Sequence, residues 1–349
     1  MAHDPAFLVT YPIPEVGMAM LRAAGRVHVP ANPPSPAELR ASCGSGEFDV
    51  VVAQLGDRFD ATLLAEAKIA GISNYAVGYD NVDVAAATAN SVVVGNTPGV
   101  LTDATADLAM LLILAAARRA IEADHFVRSG RWTGWKPELL LGHDVSGATL
   151  GLAGFGRIAR ATAKRAAAFG MDVAFCSHPP AGRTLSEDEI SALPFPARQV
   201  GWSELVETSD FLSVHVPLAD STRHLIDGPT LAAMKSTAIL INTARGPVID
   251  EAALVRALRD DTIAAAGLDV YENEPQLAPG LTELPNVVLL PHLGSATVQV
   301  RNRMADLCAA NAIAIGSGHL PPHCVNPDAW KRESSSSPTA STPPTAQGT

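Results

Sequence analysis

The chain has 349 residues, of which 47% are hydrophobic, enough for two domains with separate cores. Lys and Arg number 25 against 36 Asp and Glu, a net charge of −11 with no basic cluster, which argues against nucleic-acid or anionic-membrane binding. Four scattered cysteines (Cys43, Cys176, Cys308, Cys324) contain no C-x-x-C, so neither a disulfide framework nor a zinc site is expected, and a reducing, cytoplasmic setting fits. The first stretch, "MAHDPAFLVTYPIPEVG", has neither the basic nor the apolar part of a secretory leader. "AFLVTY", "FDVVVAQ" and "SVVVGNT" are apolar and β-branched and predict strands, while "EVGMAMLRAAG" and "DATLLAEAKIA" have helical spacing. Leu108–Ala117, "LAMLLILAAA", falls short of the roughly 20 residues that cross a bilayer. It predicts a buried helix, part of a longer one over Asp103–Ala120 that joins two α/β halves.

From about residue 145 the alternation resumes, with "TLGLAG", "DVAFCS", "DFLSVHV", "AILINTA", "AAAGLDV" and "NVVLLP" as strands. The helices between them are "RIARATAKRAAAFG", "WSELVETS", "PTLAAMK" and "EAALVRALRDD". Strands alternating with helices imply a parallel sheet, and continuous apolar strands imply one covered on both faces. A last helix, "ATVQVRNRMADLCAANAIAIGSG", has no unit of its own and should dock on one already built. The final stretch, residues 331–349, is rich in Ser, Thr and Pro and is expected to be a disordered tail.

The strand-to-helix junction of "TLGLAGFGRIARATAKR" carries Gly154-x-Gly156-x-x-Ala159. The first glycine permits a tight turn, and the second lets backbone approach a pyrophosphate. The small third residue lets helix meet strand. Phe155, Arg157 and Ile158 complete the turn, and its phosphates would rest on the amides at the helix N-terminus. The motif predicts a dinucleotide cofactor.

Three later stretches, "INTARGPVIDEAAL", "AGLDVYENEP" and "LLPHLGSAT", join "NYAVGYDNVD" and "TPGVLTDATADLA". Together they resemble the D-isomer-specific 2-hydroxyacid dehydrogenases, most closely the glyoxylate/hydroxypyruvate reductases, over roughly residues 5–328. The resemblance implies an α/β fold of two parallel-sheet domains. A Rossmann nucleotide domain, residues 100–293, is inserted into a flavodoxin-like substrate domain, residues 1–99 and 294–330. It places the substrate in the cleft between domains. It also implies reduction of a small 2-oxo acid to the D-2-hydroxy acid by hydride transfer from NAD(P)H. Within the family, 2-ketogluconate reductase and D-glycerate dehydrogenase are the alternatives. A nucleotide-sensing scaffold of the corepressor kind is the reading from another class.

The family's catalytic set falls on Arg245, Glu274 and His292. An arginine fork grips the carboxylate and ketone of a 2-oxo acid. An imidazolium protonates the alkoxide, and a carboxylate behind it orients it and favours its charge. Of the two acids in "YENEP", Glu274 is selected by its place in the motif and Glu272 reads as a solvated loop charge. By the same resemblance the amides of Val77 and Gly78 hold the substrate carboxylate, and Thr105 touches a phosphate or ribose. Val216 and Pro217 pack near the adenine, and Ala244 and Asp269 flank the nicotinamide. The segment "RWTGWKPELLLGHD" is a homodimer arm in close relatives, from which Trp135 would reach the neighbouring subunit's substrate pocket. No metal is implied.

Cofactor choice rests on "GMDVAFCSHPPAGR". An NAD-specific site ends the second strand in an acid, about 20 residues beyond the glycine turn. Here Ser177 stands at that place, 21 residues after Gly156, followed by His178 and Arg183. A serine does not repel a 2′-phosphate and has a proton to donate, so NADP is expected to be preferred with NAD usable.

Overall fold

The computed structural model describes residues 4–330, so the expected disordered tail, 331–349, lies outside the described residues. The chain forms two compact units. One runs from Pro98 to Met304 and interrupts the other, which comprises the residues up to Thr97 and those from Ala305 onward.

The interrupted unit alternates β1 (Ala6–Val9), α1 (Glu15–Ala24), β2 (Arg26–His28), α2 (Pro36–Ser45) and β3 (Val50–Ala53). It continues with α3 (Ala61–Glu66), β4 (Gly71–Asn74), α4 (Val84–Ala89) and β5 (Val93–Gly95). All five strands are parallel, in the flavodoxin-like order β2-β1-β3-β4-β5. Val50, Val51 and Val52 are wholly buried, as a central strand covered on both faces requires. Of these strands β1, β3 and β5 are the ones expected from sequence; "RVH" and "GISN" are short and lack an apolar run. Helix α2 was not expected either, and only its Leu39 and Cys43 are buried. What starts α2 is a capping box: Ser35 Oγ accepts from the Glu38 amide, and Glu38 Oε2 accepts from the Ser35 amide.

The inserted unit opens with α5 (Thr102–Ala117) and α6 (Ala120–Arg128). The helix expected over Asp103–Ala120 is α5, which stops three residues early, and α6 follows it as a separate helix. Arg119 parts them with a left-handed backbone, φ 51°, where the helical hydrogen-bond run cannot pass. There follow β6 (Thr149–Ala153), α7 (Arg157–Ala168), β7 (Asp172–Cys176), α8 (Glu187–Ser191) and β8 (Arg198–Gln199). Next come α9 (Trp202–Thr208), β9 (Phe211–Val214), α10 (Gly228–Ala233) and β10 (Ile239–Asn242). The unit closes with α11 (Glu251–Arg259), β11 (Ala265–Leu268) and β12 (Val287–Leu289). Its seven parallel strands run β12-β11-β10-β9-β6-β7-β8, the doubly wound order that reverses between β6 and β9. One core packs Ala153, Leu240 and Leu268 against α9, α10 and α11. The other packs Leu152, Phe211 and Ile241 against α5 and α7.

The last helix, α12 (Val298–Gly316), begins in the inserted unit and ends in the interrupted one. It docks as a lone helix must. Cys308, Ala309, Ala312 and Ile315 are buried, Ser73 Oγ donates to the Cys308 carbonyl at 2.7 Å, and Asn311 Nδ2 donates to the Asn96 carbonyl at 2.8 Å. Among the described residues, no helix is long and apolar enough to cross a membrane.

Candidate active site

The glycine turn lies between β6 and α7. Gly154 has φ 97°, and a Cβ there would sit 2.6 Å from the His215 carbonyl oxygen, so only glycine fits. The Phe155 side chain turns inward. Its ring stacks on Phe175 at 3.6 Å, and the Arg160 guanidinium lies over the same ring at 4.6 Å. Gly156 is the N-cap of α7 and provides no side-chain cap. The first turn carries no acid, and a Cβ on Gly156 would meet nothing within 4 Å. Exposed Arg157 and half-buried Ile158 start the helix. Uncapped first-turn amides, the positive end of a 12-residue helix and open space at the second glycine fit a pyrophosphate.

At the end of β7 the side chains are less disposed to a 2′-phosphate than expected. Ser177 is buried and its Oγ donates to the Arg183 carbonyl. A hydroxyl has one proton, so the donor foreseen for the phosphate is already engaged. His178 Nδ1 lies 3.3 Å from the same Oγ. The Arg183 guanidinium faces Glu189 at 3.8 Å, and Glu189 also feels Arg160. No acid ends β7, and cations lie close by.

Val216 is buried just beyond β9, and Pro217 is exposed. Between them and the strand sits His215, whose Nε2 is 2.9 Å from Ser213 Oγ. Burial pushes this imidazole down to about 4, so it is neutral at neutral pH. At the end of β10, Asn242 ties the chain to itself. Its Oδ1 accepts from the Ala244 amide at 3.0 Å, and its Nδ2 donates to the Arg245 carbonyl at 2.9 Å. Thr243 Oγ1, between them, is buried with no partner among the described residues. Arg245 donates from Nη1 to the Ala244 carbonyl at 2.8 Å. Gly246 begins the next turn hard against the backbone of Tyr271 and Glu272.

Glu274 and His292 are brought together, with Oε2 2.9 Å from Nδ1. The other carboxylate oxygen accepts from the Tyr271 amide at 3.0 Å. Burial pushes the Glu274 carboxyl up, but the His292 hydrogen bond and charge, the Tyr271 amide and the Arg245 charge prevail, holding it below the usual range. His292 has φ 57°, an uncommon conformation for histidine, and its loop is held firmly. The His292 amide donates to the Asp269 carbonyl at 2.9 Å. The Leu293 and Gly294 amides donate to the two Asp269 carboxylate oxygens at 2.6 and 2.8 Å. Burial pushes the Asp269 carboxyl up, opposed by these amides and by His292. Thr105 Oγ1 gives its one proton to the Gly294 carbonyl at 3.0 Å, so it braces this loop rather than offering a donor to a phosphate or ribose.

Glu272 is not the solvated charge expected. Its side chain is 22% exposed, and Oε1 lies 2.6 Å from His224 Nε2. Its amide donates to Glu251, an acid in the first turn of α11 that sequence reasoning had no cause to single out. An acid there reads simply as a complement to the helix dipole. Asn242 was signalled more plainly, by an Asn that closes a strand and precedes a turn.

In the interrupted unit, Val77 and Gly78 follow β4. Asn96 Nδ2 donates to the Val77 carbonyl and Asn74 Nδ2 to the Gly78 carbonyl, both at 2.8 Å. The two carbonyls are thereby turned into protein contacts, and neither amide has an acceptor among the described residues. Trp135 is 82% exposed, and Trp132 and Leu141 of the same segment are exposed too.

The family model for the D-isomer specific 2-hydroxyacid dehydrogenase NAD binding domain matches residues 110–294. The glyoxylate reductase of Thermococcus litoralis is 46% identical over 329 residues, 93% of this chain and 97% of its own. A solved protein of Thermus thermophilus superposes with a TM-score of 0.82 at 42% identity, covering 92% of this chain and 99% of that one. The NADPH-dependent glyoxylate/hydroxypyruvate reductase of Sinorhizobium meliloti, solved with NADP and malonate, superposes at 0.80 with 34% identity, over 95% and 99% of the two chains. The chain is an oxidoreductase that uses a nicotinamide cofactor, and it belongs to the D-isomer specific 2-hydroxyacid dehydrogenase family.

Proposed function

We propose that the enzyme reduces glyoxylate or hydroxypyruvate to the D-2-hydroxy acid, with NADPH preferred over NADH. The observation that carries the chemistry is the Glu274–His292 pair at 2.9 Å on a loop locked by Asp269. The substrate is inferred from relatives named glyoxylate reductase that match nearly the whole chain.

A reduced nicotinamide, when bound, supplies the hydride. Gly154, Phe155, Gly156, Arg157 and Ile158 hold its pyrophosphate in this reading, with Val216 and Pro217 at the adenine and Ala244, Thr243 and Asp269 at the nicotinamide end. The amides of Val77 and Gly78 take the substrate carboxylate. Arg245 pairs with the substrate's anionic end and polarises its ketone. His292, held at Nδ1 by Glu274, gives its Nε2 proton to the developing alkoxide. In the reverse direction the neutral imidazole accepts the hydroxyl proton. A panel of 2-oxo acids assayed with NADPH and NADH tests the substrate. Failure to reduce either acid while another 2-oxo acid turns over would reassign it.

The cofactor preference rests on the missing acid at Ser177, on the cations Arg183 and Arg160, and on His178 beside Ser177. Because the Ser177 proton is engaged, the preference should be moderate, with NADH still used. Ser177→Asp should reverse it, by repelling the 2′-phosphate and accepting from the ribose 2′-OH. A native kcat/KM higher with NADH than with NADPH would sink the preference.

The exposed segment with Trp132, Trp135 and Leu141 is the proposed arm of a homodimer, from which Trp135 enters the neighbour's substrate pocket. Sedimentation velocity should show a dimer at assay concentration. A monomer that is fully active rules the arm out.

A further inference from the structure

Glu251 lies outside the catalytic set, yet its surroundings give it a place in the reaction. It is 4% exposed, the acid of the first turn of α11. One carboxylate oxygen accepts from the Glu272 amide at 2.6 Å, and the other accepts from the Ala278 amide at 3.2 Å. These two amides bracket Glu274 in the chain. A single carboxylate thus pins both ends of the loop that presents the partner of His292. The pin returns on itself, since the Glu251 amide donates to Glu272 Oε2 at 3.4 Å.

Leu277 and Ala278 pack the far end of that loop against the core, but the stretch around Glu274 borders open space. A cavity of about 370 Å³, lined by Pro275, Leu277, Leu289 and Pro291, lies directly against Glu274 and His292. A loop flanked by a cavity of that size can relax into it once its hydrogen bonds go. Buried polar ties then decide where Glu274 sits, and Glu251 supplies two of them.

We propose that Glu251 is a positioning residue for the reduction. It clamps the 272–278 loop from α11, so that Glu274 stays within hydrogen-bond reach of His292. This rests on the assignment of Glu274 and His292 to the proton transfer, and the test separates the two ideas.

The acidic and basic groups facing Glu251 are Glu272, Glu274 and Tyr271, with His224 behind Glu272 at 2.6 Å. Those facing His292 are Glu274 and Asp269. The experiment compares Glu251→Gln and Glu251→Asp with Glu274→Gln, the Glu251→Gln/Glu274→Gln double variant, and His224→Gln. Glutamine keeps the shape but has one acceptor oxygen for two amides. Aspartate keeps the charge but draws it back by one methylene. Both should lower kcat about tenfold or more, within the roughly 10²-fold that a 1 Å misplacement costs. KM for the cofactor should stay put. The alkaline limb of the reduction rate should move toward lower pH, as in Glu274→Gln, and His224→Gln should leave it in place. In the double variant, Glu251→Gln should add almost nothing to the loss from Glu274→Gln, because both act through one pair.

Additive losses in the double variant, or an unmoved alkaline limb in both Glu251 variants, overturn the proposal and leave Glu274 untouched. An unmoved limb in Glu274→Gln itself removes the catalytic assignment on which it rests. A limb that moves in His224→Gln gives the titration to His224 and overturns it as well. Should neither Glu251 variant fold, amide exchange in the unaltered protein decides. Slow exchange at Glu272 and Ala278 supports the clamp, and free-peptide rates there refute it.

Discussion

Replacing His292 by alanine should lower kcat for reduction by about 10²–10⁴-fold, the contribution of a positioned general acid, with cofactor affinity nearly unchanged. The structure gives a reason to expect so clean a separation. The loop around residue 292 is held by the Asp269 carboxylate and by Thr105, through backbone amides and the Gly294 carbonyl. Deleting the ring removes none of these. The left-handed backbone at 292 favours asparagine over alanine as a second variant, since Asn tolerates that region better. A near-native kcat in either variant would take His292 out of the proton transfer. Glu274→Gln is the companion measurement. A neutral amide still holds the ring but no longer favours its charge, so the rate should fall away at lower pH than in the native enzyme. On the acid side the sign is opposite. The Glu274 carboxyl is held below its ordinary value. The pair's contribution is therefore complete above the free glutamate value of ~4.3 and is lost only as pH falls through the lower folded value. Native reduction should show no loss from this group at pH 5.

The two sheets were legible because their strands are short apolar runs between turn signals, as in "VVVA" and "ILIN". β4 was not, because "GISN" reads as a turn. Its Ser73 and Asn74 are satisfied by Cys308 and Asn81, and the first of these lies 235 residues away. No local pattern announces a partner at that distance. Within the site, Gly154, Arg245, Glu274 and His292 were legible because each belongs to a run with its own spacing. Ser177 was legible only in part. The residue type allows a donor, but the proton's destination depends on the path of the chain back to Arg183. Glu272 was misjudged because its partner His224 lies 48 residues upstream. Glu251 was passed over because helix starts commonly carry acids. Residue identity and motif spacing single out the groups proposed to touch substrate. The groups that hold those groups in place are set by packing and become visible only in three dimensions.

Gly246→Ala should be among the most damaging single-methyl additions in this chain, and it bears on how the site is assembled. A Cβ at Gly246 would lie 1.8 Å from the Tyr271 carbonyl carbon, 1.9 Å from its oxygen and 2.4 Å from the Glu272 amide nitrogen. All three are backbone atoms, so no rotamer change relieves the overlap. Either the turn that presents Arg245 or the loop that presents Glu274 has to move. Overpacking of this kind typically costs about 1–3 kcal/mol. At roughly 2–4 °C per kcal/mol for a domain of 150–250 residues, Tm should drop by several degrees. The effect on kcat should be larger than that drop suggests, because in the proposed mechanism the displacement separates an arginine from the carboxylate that holds His292. Binding of the pyrophosphate should be spared, since Gly154 and α7 lie on the other side of β9 in the sheet order. Thermal melting, cofactor titration and kcat, measured on one preparation, check all three parts. Native kcat in a folded Gly246→Ala protein would mean that the two backbones part without moving either side chain, and the close packing of Arg245's turn on Glu274's loop would then have no bearing on the chemistry.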